Sequence, residues 1–312
     1  MNLKHIFGPV PSRRLGSSLG IDIVPSKTCT LDCVYCEVGR TNRLGIERES
    51  FYPPEGVIDE FASEYPALKE HLDVVTITGS GEPTMNSDLG TLASKIKSVS
   101  DHPLAILTNS TLITRCDVRS DLKNFDIIVP SIDAASQDVF ERVNRPHPDL
   151  DIHEINEALI AFTNSFSGRI LLEVLLVKGV NDSEDELKRI ASVISRCRYD
   201  MVQLNTVFRP PSYSETEGLG EKELVEAMLM FKEQGIRIEP VGNFIRRLGG
   251  SVSDSPSEKI MNLLRMRPCT TGDIASVFGI EESVAESCVN GLLHKDLVEE
   301  SIFKEERFYF GK

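Results

Sequence analysis

Leu19-Gly20-Ile21-Asp22-Ile23-Val24-Pro25-Ser26-Lys27-Thr28-Cys29-Thr30-Leu31-Asp32-Cys33-Val34-Tyr35-Cys36 runs from an apolar stretch into three cysteines within eight residues. Residues 19–24 read as a strand that Pro25 ends, so the cysteines sit on the loop that follows. Spacings of four and three put three thiols on one short loop able to curl round the corner of a metal centre. Thiolates are the usual ligands of iron–sulfur clusters. A cubane has four irons, so three cysteines leave one iron open to an exchangeable ligand. Zinc is the alternative, but a structural zinc site wants four closed ligands. The fourth would come from distant Cys116, Cys197 or a histidine.

Outward from this loop the chain alternates short apolar runs with longer amphipathic ones. Strands are expected at residues 19–24, 74–78, 104–107, 127–129, 170–177 and 201–207, with a seventh at 236–241. Most are rich in Val, Ile and Leu without polar alternation, the pattern of parallel strands covered on both faces. Helices are expected at 57–72, 89–98, 137–142, 152–162 and 185–196. The run Asp182-Ser183-Glu184-Asp185 supplies a cap and early acidic residues for the last. Repeated strand–helix units imply right-handed crossovers and a parallel sheet. Six units are too few for a closed eightfold barrel, so the expected fold is α/β, a partial (β/α)6 barrel.

Residues 249–256 read as a linker, dividing the chain into 1–250 and 251–312. The second unit has a different rhythm: helices at 257–266, 270–278 and 281–294, then a hairpin within 297–310. That order suggests a small winged helix-turn-helix. Its third helix opens with Glu281 and Glu282, and the tail from Pro256 carries seven basic against ten acidic residues. Both features argue against binding duplex DNA. Packing on the barrel, or binding a protein or peptide, is the expectation instead. Cys288 and His294 read as core or surface residues rather than ligands.

Hydrophobic residues make up 40% of the 312, and the formal net charge is −14. The charge disfavours a general nucleic-acid surface. Residues 1–50 nevertheless hold seven Lys/Arg against five Asp/Glu. Arg13 and Arg14 precede the first strand, and Arg40 and Arg43 follow the cysteines. They are candidates for a phosphate-bearing substrate and equally for surface ion pairs. No apolar run is long enough to span a bilayer, and the start carries no apolar signal core, so the cytoplasm is expected. In that reducing compartment scattered Cys116, Cys197, Cys269 and Cys288 read as small apolar side chains.

Chemistry in parallel α/β barrels collects beyond the C-terminal strand ends. Those ends here are Gly79-Ser80-Gly81-Glu82-Pro83-Thr84, Thr108-Asn109-Ser110, Ser131-Ile132-Asp133, Lys178 to Asp182, and Asn205 to Arg209. Each alone reads as a turn or cap, since Ser, Asn, Asp and Gly favour such places. Together with the cysteine loop they mark one candidate site.

The motif C-x3-C-x2-C, with aromatic Tyr35 before the last cysteine, resembles the signature of the radical S-adenosylmethionine superfamily over about residues 6–245. The segment from Phe7 to Asp22 resembles a subgroup loosely related to the tRNA wyosine-synthesising enzymes. The resemblance implies one [4Fe–4S] cluster on Cys29, Cys33 and Cys36, whose open iron takes the amino and carboxylate groups of S-adenosyl-L-methionine. It places Tyr35 near the adenine and Ser131 and Asp133 at the ribose. It directs Lys178 to the ligand carboxylate. Gly79, Ser80, Gly81 and Glu82 resemble the family's GGEP motif, with Ser80 interposed, and Asn109 joins them among the cofactor contacts. The implied reaction is reductive cleavage to a 5′-deoxyadenosyl radical that abstracts hydrogen from a substrate. A ferredoxin or flavodoxin as electron donor and an anaerobic setting follow from the same resemblance. No cysteine precedes Cys29 and no dense cysteine group follows the barrel, so one cluster is expected. A tRNA base or a protein is the favoured substrate. A small metabolite, a redox-sensing DNA-binding regulator and a non-catalytic zinc protein are the alternatives.

Overall fold

The computed structural model describes residues 5–12, 15–240 and 256–312. Arg13, Arg14, Val241 of the expected seventh strand, and all of the expected linker but Pro256 lie outside the described residues. Strand β1 (Ile6–Ser12) runs antiparallel to β2 (Gly16–Asp22). The short pair β3 (Thr28–Cys29) and β4 (Arg43–Leu44) brackets the cysteine loop. Helix α1 (Pro54–Leu68) leads to β5 (Val74–Thr78), and α2 (Leu89–Val99) to β6 (Leu104–Thr108). Helix α3 (Cys116–Leu122) leads to β7 (Ile127–Pro130), and α4 (Gln137–Val143) with α5 (Ile152–Ser165) to β8 (Arg169–Leu176). Finally α6 (Glu184–Arg196) leads to β9 (Met201–Thr206), and α7 (Glu221–Glu233) to β10 (Ile238–Pro240).

The main sheet has eight strands in the order β1-β2-β5-β6-β7-β8-β9-β10, parallel from β2 onward. Among the described residues β1 and β10 stand at its two ends and do not pair with each other. The expected strands all appear, and β1 is additional. Its Gly8, Pro9 and Pro11 argue against a strand by composition. An edge position tolerates them, because prolines need not donate to a second neighbour.

Each helix turns an apolar stripe onto the sheet. Leu187, Ile190, Ala191 and Ile194 of α6 are buried at spacings of three, one and three, one face of a 3.6-residue repeat. Ser183 caps that helix by accepting from the Glu186 N–H, and Asp151 caps α5 through the His153 and Glu154 N–H groups. Phe61, Leu89, Leu92 and Ile96 are fully buried in one cluster with Ile21, Ile77 and Ile106. Burying each such side chain contributes about 1.5–3 kcal/mol. A truncation such as Ile96→Ala loses that term and leaves a cavity, about 2–5 kcal/mol in all.

Beyond residue 255 come α8 (Pro256–Met266), α9 (Thr271–Phe278) and α10 (Glu282–His294). A hairpin of β11 (Val298–Phe303) and β12 (Glu306–Gly311) follows. Thr270 and Asp273 cap α9 reciprocally, and Gly279 ends it in the left-handed region at φ 62°. The core of this unit, including Ile260, Leu264, Ile274 and Val289, also contains Val10 of β1. The tail is therefore seated on the edge strand of the sheet. No helix among the described residues is long and apolar enough to cross a membrane.

Candidate active site

The parallel strands end around a cavity of about 400 Å³ lined by Cys29, Cys33 and Cys36. Tyr35, Gly79, Gly81, Glu82, Asn109, Ser131 and Asp133 line the same cavity. Two residues named from sequence do not. Ser80 is buried and donates its hydroxyl to Asp22 Oδ2 at 2.7 Å. Lys178 stands at the surface, paired with Glu223 at 2.8 Å. The resemblance points Lys178 at the cofactor carboxylate, but the turn after β8 carries it outward to a helix α7 partner.

The cysteine loop is fixed from two sides. The Val34 N–H donates to the Val143 carbonyl at 3.0 Å, and the Asp32 N–H to the Asn144 carbonyl at 3.0 Å. From the segment after β9, Ser212 Oγ donates to the Cys33 carbonyl at 2.7 Å and Tyr213 OH to Asp32 Oδ2 at 2.5 Å. Asn144 Nδ2 points at Cys33 Sγ (3.3 Å) and Asn109 Nδ2 at Cys29 Sγ (3.5 Å). These amide donors face sulfur atoms, where negative charge would be held. Asn144 was invisible to sequence reasoning, since an Asn at a helix end reads as an ordinary cap.

Glu82 is buried and accepts four hydrogen bonds from the protein. Its Oε1 accepts from Thr84 N (3.0 Å), Thr84 Oγ1 (2.6 Å) and Thr108 Oγ1 (2.7 Å), and its Oε2 from Asn109 N (2.8 Å). Burial raises its pKa while these bonds pull the other way. Glu82 thus ties the loop after β5 to the end of β6. Gly81 has a packing reason to lack a side chain: a Cβ there would lie 2.1 Å from the Thr28 carbonyl oxygen.

Asp133 joins the strand ends to the cysteine loop. Its Oδ1 accepts from Leu175 N at 3.0 Å. Its Oδ2 accepts from the Tyr35 hydroxyl and from Asn144 Nδ2 at 3.1 Å. Burial pushes its pKa up, opposed by those donors. Glu173 and Asn205 add a polar floor, with Asn205 Nδ2 donating to Glu173 Oε1 at 3.1 Å. A charged residue in the middle of the apolar β8 run was the signal for Glu173. Arg209 and Arg267 complete the lining.

The donor set suits an iron–sulfur cluster. Three thiols face one cavity, two of them with amide donors aimed at sulfur, and polar strand ends leave room for a second ligand beside them. Burial, then the Glu82 charge, pushes the free Cys29 thiol up to about 12; bound iron stabilises the thiolate that burial disfavours.

Comparison with known proteins agrees. The family model described as the radical SAM superfamily matches residues 23–191. A Brachyspira hyodysenteriae protein named GTPase Obg is 34% identical over 303 residues, 97% of this chain but 44% of that protein. The chain contains no G-x4-G-K-[ST] phosphate loop. The UPF0026 protein of Methanocaldococcus jannaschii is 40% identical over 207 residues, 66% of this chain and 64% of its own length. The chain therefore spans less than two thirds of both relatives. A Chlorobaculum tepidum protein named "Probable dual-specificity RNA methyltransferase RlmN" is 26% identical over 229 residues, 67% of this chain and 60% of that protein. Among solved structures, a radical SAM methyltransferase from Sphaerobacter thermophilus aligns with TM-score 0.54 and 15% identity, over 72% of this chain and 65% of its own. TYW1 with a lysine–pyruvate adduct aligns with TM-score 0.52 and 16% identity, over 70% and 75%. At these identities the structures speak to the fold alone. The family model covers more than half of the sequence and contains the cysteine loop, so the chain belongs to the radical SAM superfamily, enzymes that use a [4Fe–4S] cluster and S-adenosylmethionine.

Proposed function

We propose that Cys29, Cys33 and Cys36 hold a single [4Fe–4S] cluster and that the chain uses it to modify a base of an RNA, with tRNA the favoured class. The observation that carries the reading is the placement of all three cysteines on one cavity with the polar strand ends Gly79, Gly81, Glu82, Asn109, Ser131 and Asp133. When bound, the reduced cluster supplies the electron that splits S-adenosylmethionine into methionine and a 5′-deoxyadenosyl radical. The chain's residues do the positioning. Asn109 and Asn144 direct N–H groups at the ligand sulfurs. The Tyr35–Asp133 link holds the loop beside the site of the nucleoside. Strand β1 and the tail supply a wall that limits water around a reactive radical.

RNA is favoured over protein because a relative at 26% identity is named as an RNA methyltransferase. The same reading includes a low-potential ferredoxin or flavodoxin as donor, a cytoplasmic and anaerobic setting, and a division at residue 250. The order of three helices and a hairpin supports a winged-helix-like tail, one that packs on the barrel instead of reading DNA. The test is to incubate unfractionated bacterial tRNA with anaerobically reconstituted protein, S-adenosylmethionine and dithionite, then weigh the nucleosides. A new nucleoside mass dependent on Cys33 is expected. Turnover of S-adenosylmethionine without any tRNA product would overturn the RNA reading.

A further inference from the structure

The tail does more than cover the sheet edge, because one of its side chains enters the cavity. Arg267, between α8 and α9, lines it together with Arg209 from the segment after β9. The tail is held there by Val10 in its core and by Lys304 Nζ, which donates to the Val207 carbonyl at 3.1 Å. Burial raises the pKa of the Cys269 thiol, the charges of Arg267 and Arg209 and a hydrogen bond from the Arg267 side chain lower it, and the Asp273 charge raises it. Arg209 sits between Glu37 at 3.4 Å and Asp273 at 3.8 Å. Those contacts are longer than the 2.7–2.9 Å of a direct charged hydrogen bond, so the two carboxylates restrain Arg209 without saturating it. Among the described residues no carboxylate is paired with Arg267. The Nε atoms of Arg209 and Arg267 are both buried with no hydrogen-bond partner. Both Nε atoms are closed to solvent, so a ligand in the cavity would meet the two guanidinium groups at their outer nitrogens, and the natural complement of a guanidinium is an anionic oxygen.

We propose that Arg267 and Arg209 form an anion subsite in this cavity that takes a phosphate group of the substrate, making the C-terminal unit part of the substrate site. The choice of phosphate as the anion rests on the RNA reading above; the subsite itself rests on the two arginines. Arginine suits the task because its planar fork meets two phosphate oxygens at once.

The direct test is calorimetric titration of the full chain with inorganic pyrophosphate, and in parallel with unfractionated tRNA. Arg267→Gln and Arg209→Gln should each weaken pyrophosphate binding by about tenfold or more. Lys222→Gln, on the exposed face of α7, should leave it unchanged. For tRNA, Arg267→Gln should lower the slope of log affinity against log salt by about one. Thermal melts check that each variant is folded, and Arg267→Lys should restore part of the affinity if charge is what matters. Pyrophosphate binding that is absent, or equal in wild type and both variants, would overturn the subsite. So would loss of S-adenosylmethionine affinity on the cluster-loaded Arg267→Gln protein with pyrophosphate binding retained, because the guanidinium would then serve the cofactor's carboxylate. Pyrophosphate binding that needs Arg267, without any tRNA binding, would leave the subsite standing and sink the RNA reading.

Discussion

The Tyr35 hydroxyl donates a hydrogen bond to Asp133, bridging the cysteine loop and the end of β7 across 98 residues of sequence. Asp133 is also the acceptor for Asn144 and for the Leu175 backbone. One buried carboxylate therefore ties together three elements that meet at the cysteine-lined cavity. Tyr35→Phe should destabilise the cluster-free protein by about 1–3 kcal/mol, the usual cost of losing a hydrogen bond to a charged group. Asp133→Ala should cost more, because it strands three donors at once. Denaturant titrations of both variants check this; two curves superimposed on wild type would contradict it.

Two glycine substitutions should act in opposite directions. Gly81→Ala places a methyl 2.1 Å from the Thr28 carbonyl oxygen, one residue before Cys29. Overpacking of this kind costs about 1–3 kcal/mol, and here the displaced backbone leads straight into the cysteine loop. Reconstituted iron per chain should fall along with the melting temperature. Gly56→Ala, in α1 with nothing within 4 Å of the added methyl, should stabilise by up to about 1 kcal/mol. A neutral Gly81→Ala would show that the loop can move aside.

Glu186 gives the fold a defined acid sensitivity. Burial alone would raise its pKa. Hydrogen bonds from Ser136 Oγ, the Ala135 and Ser136 N–H groups, and Arg189 outweigh it and hold the carboxyl below the ordinary range. A depressed folded pKa contributes stability that is fully present above the unfolded value of about 4.3. That contribution is lost as pH falls through the folded value. Glu186→Gln should cost about 1–3 kcal/mol near neutral pH, and the gap to wild type should close on acidification below about pH 4. A gap constant across that range would contradict the assignment.

Lys178 provides a check on what resemblance alone suggests. It pairs with Glu223, and both side chains are more than 40% exposed. Such a pair contributes about 0–1 kcal/mol. Lys178→Ala should leave S-adenosylmethionine affinity within about twofold, a change under 0.5 kcal/mol. A tenfold loss, measured by titration of the cluster-loaded protein, would place the lysine at the cofactor after all.

The sheet was legible because its strands are short, apolar and separated by amphipathic helices. The tail helices were legible because Thr270, Asp273 and Gly279 mark ends of α9 with local chemistry. Helix α7 escaped because Val225 and Leu229 are 43% and 49% exposed, which smears the apolar stripe that a periodic reading relies on. Strand β1 escaped because its prolines are acceptable only at an edge, a fact of topology. The cysteines, by their spacing, and most of the polar strand ends, by their place after the strands, were singled out as one group, and they line one cavity. Arg267 as a cavity residue was not: it lies 231 positions after Cys36, and only the docking of the tail on Val10 brings it to the site. Lys178 lies outside the cavity lining and pairs with Glu223, since its place in sequence after a strand says nothing of which way the turn points.

In the proposed ligand set Cys29, Cys33 and Cys36, and no other cysteine, hold the cluster. The most direct measurement is 5′-deoxyadenosine formed by anaerobically reconstituted protein with S-adenosylmethionine and dithionite, for wild type, Cys33→Ala and Cys116→Ala. Cys33 lines the cavity, whereas Cys116 is exposed at the start of α3. Wild type and Cys116→Ala should both form the product with comparable iron content, and Cys33→Ala should form none. Product and full iron content in Cys33→Ala, or their loss in Cys116→Ala, would contradict the ligand set on which the account stands.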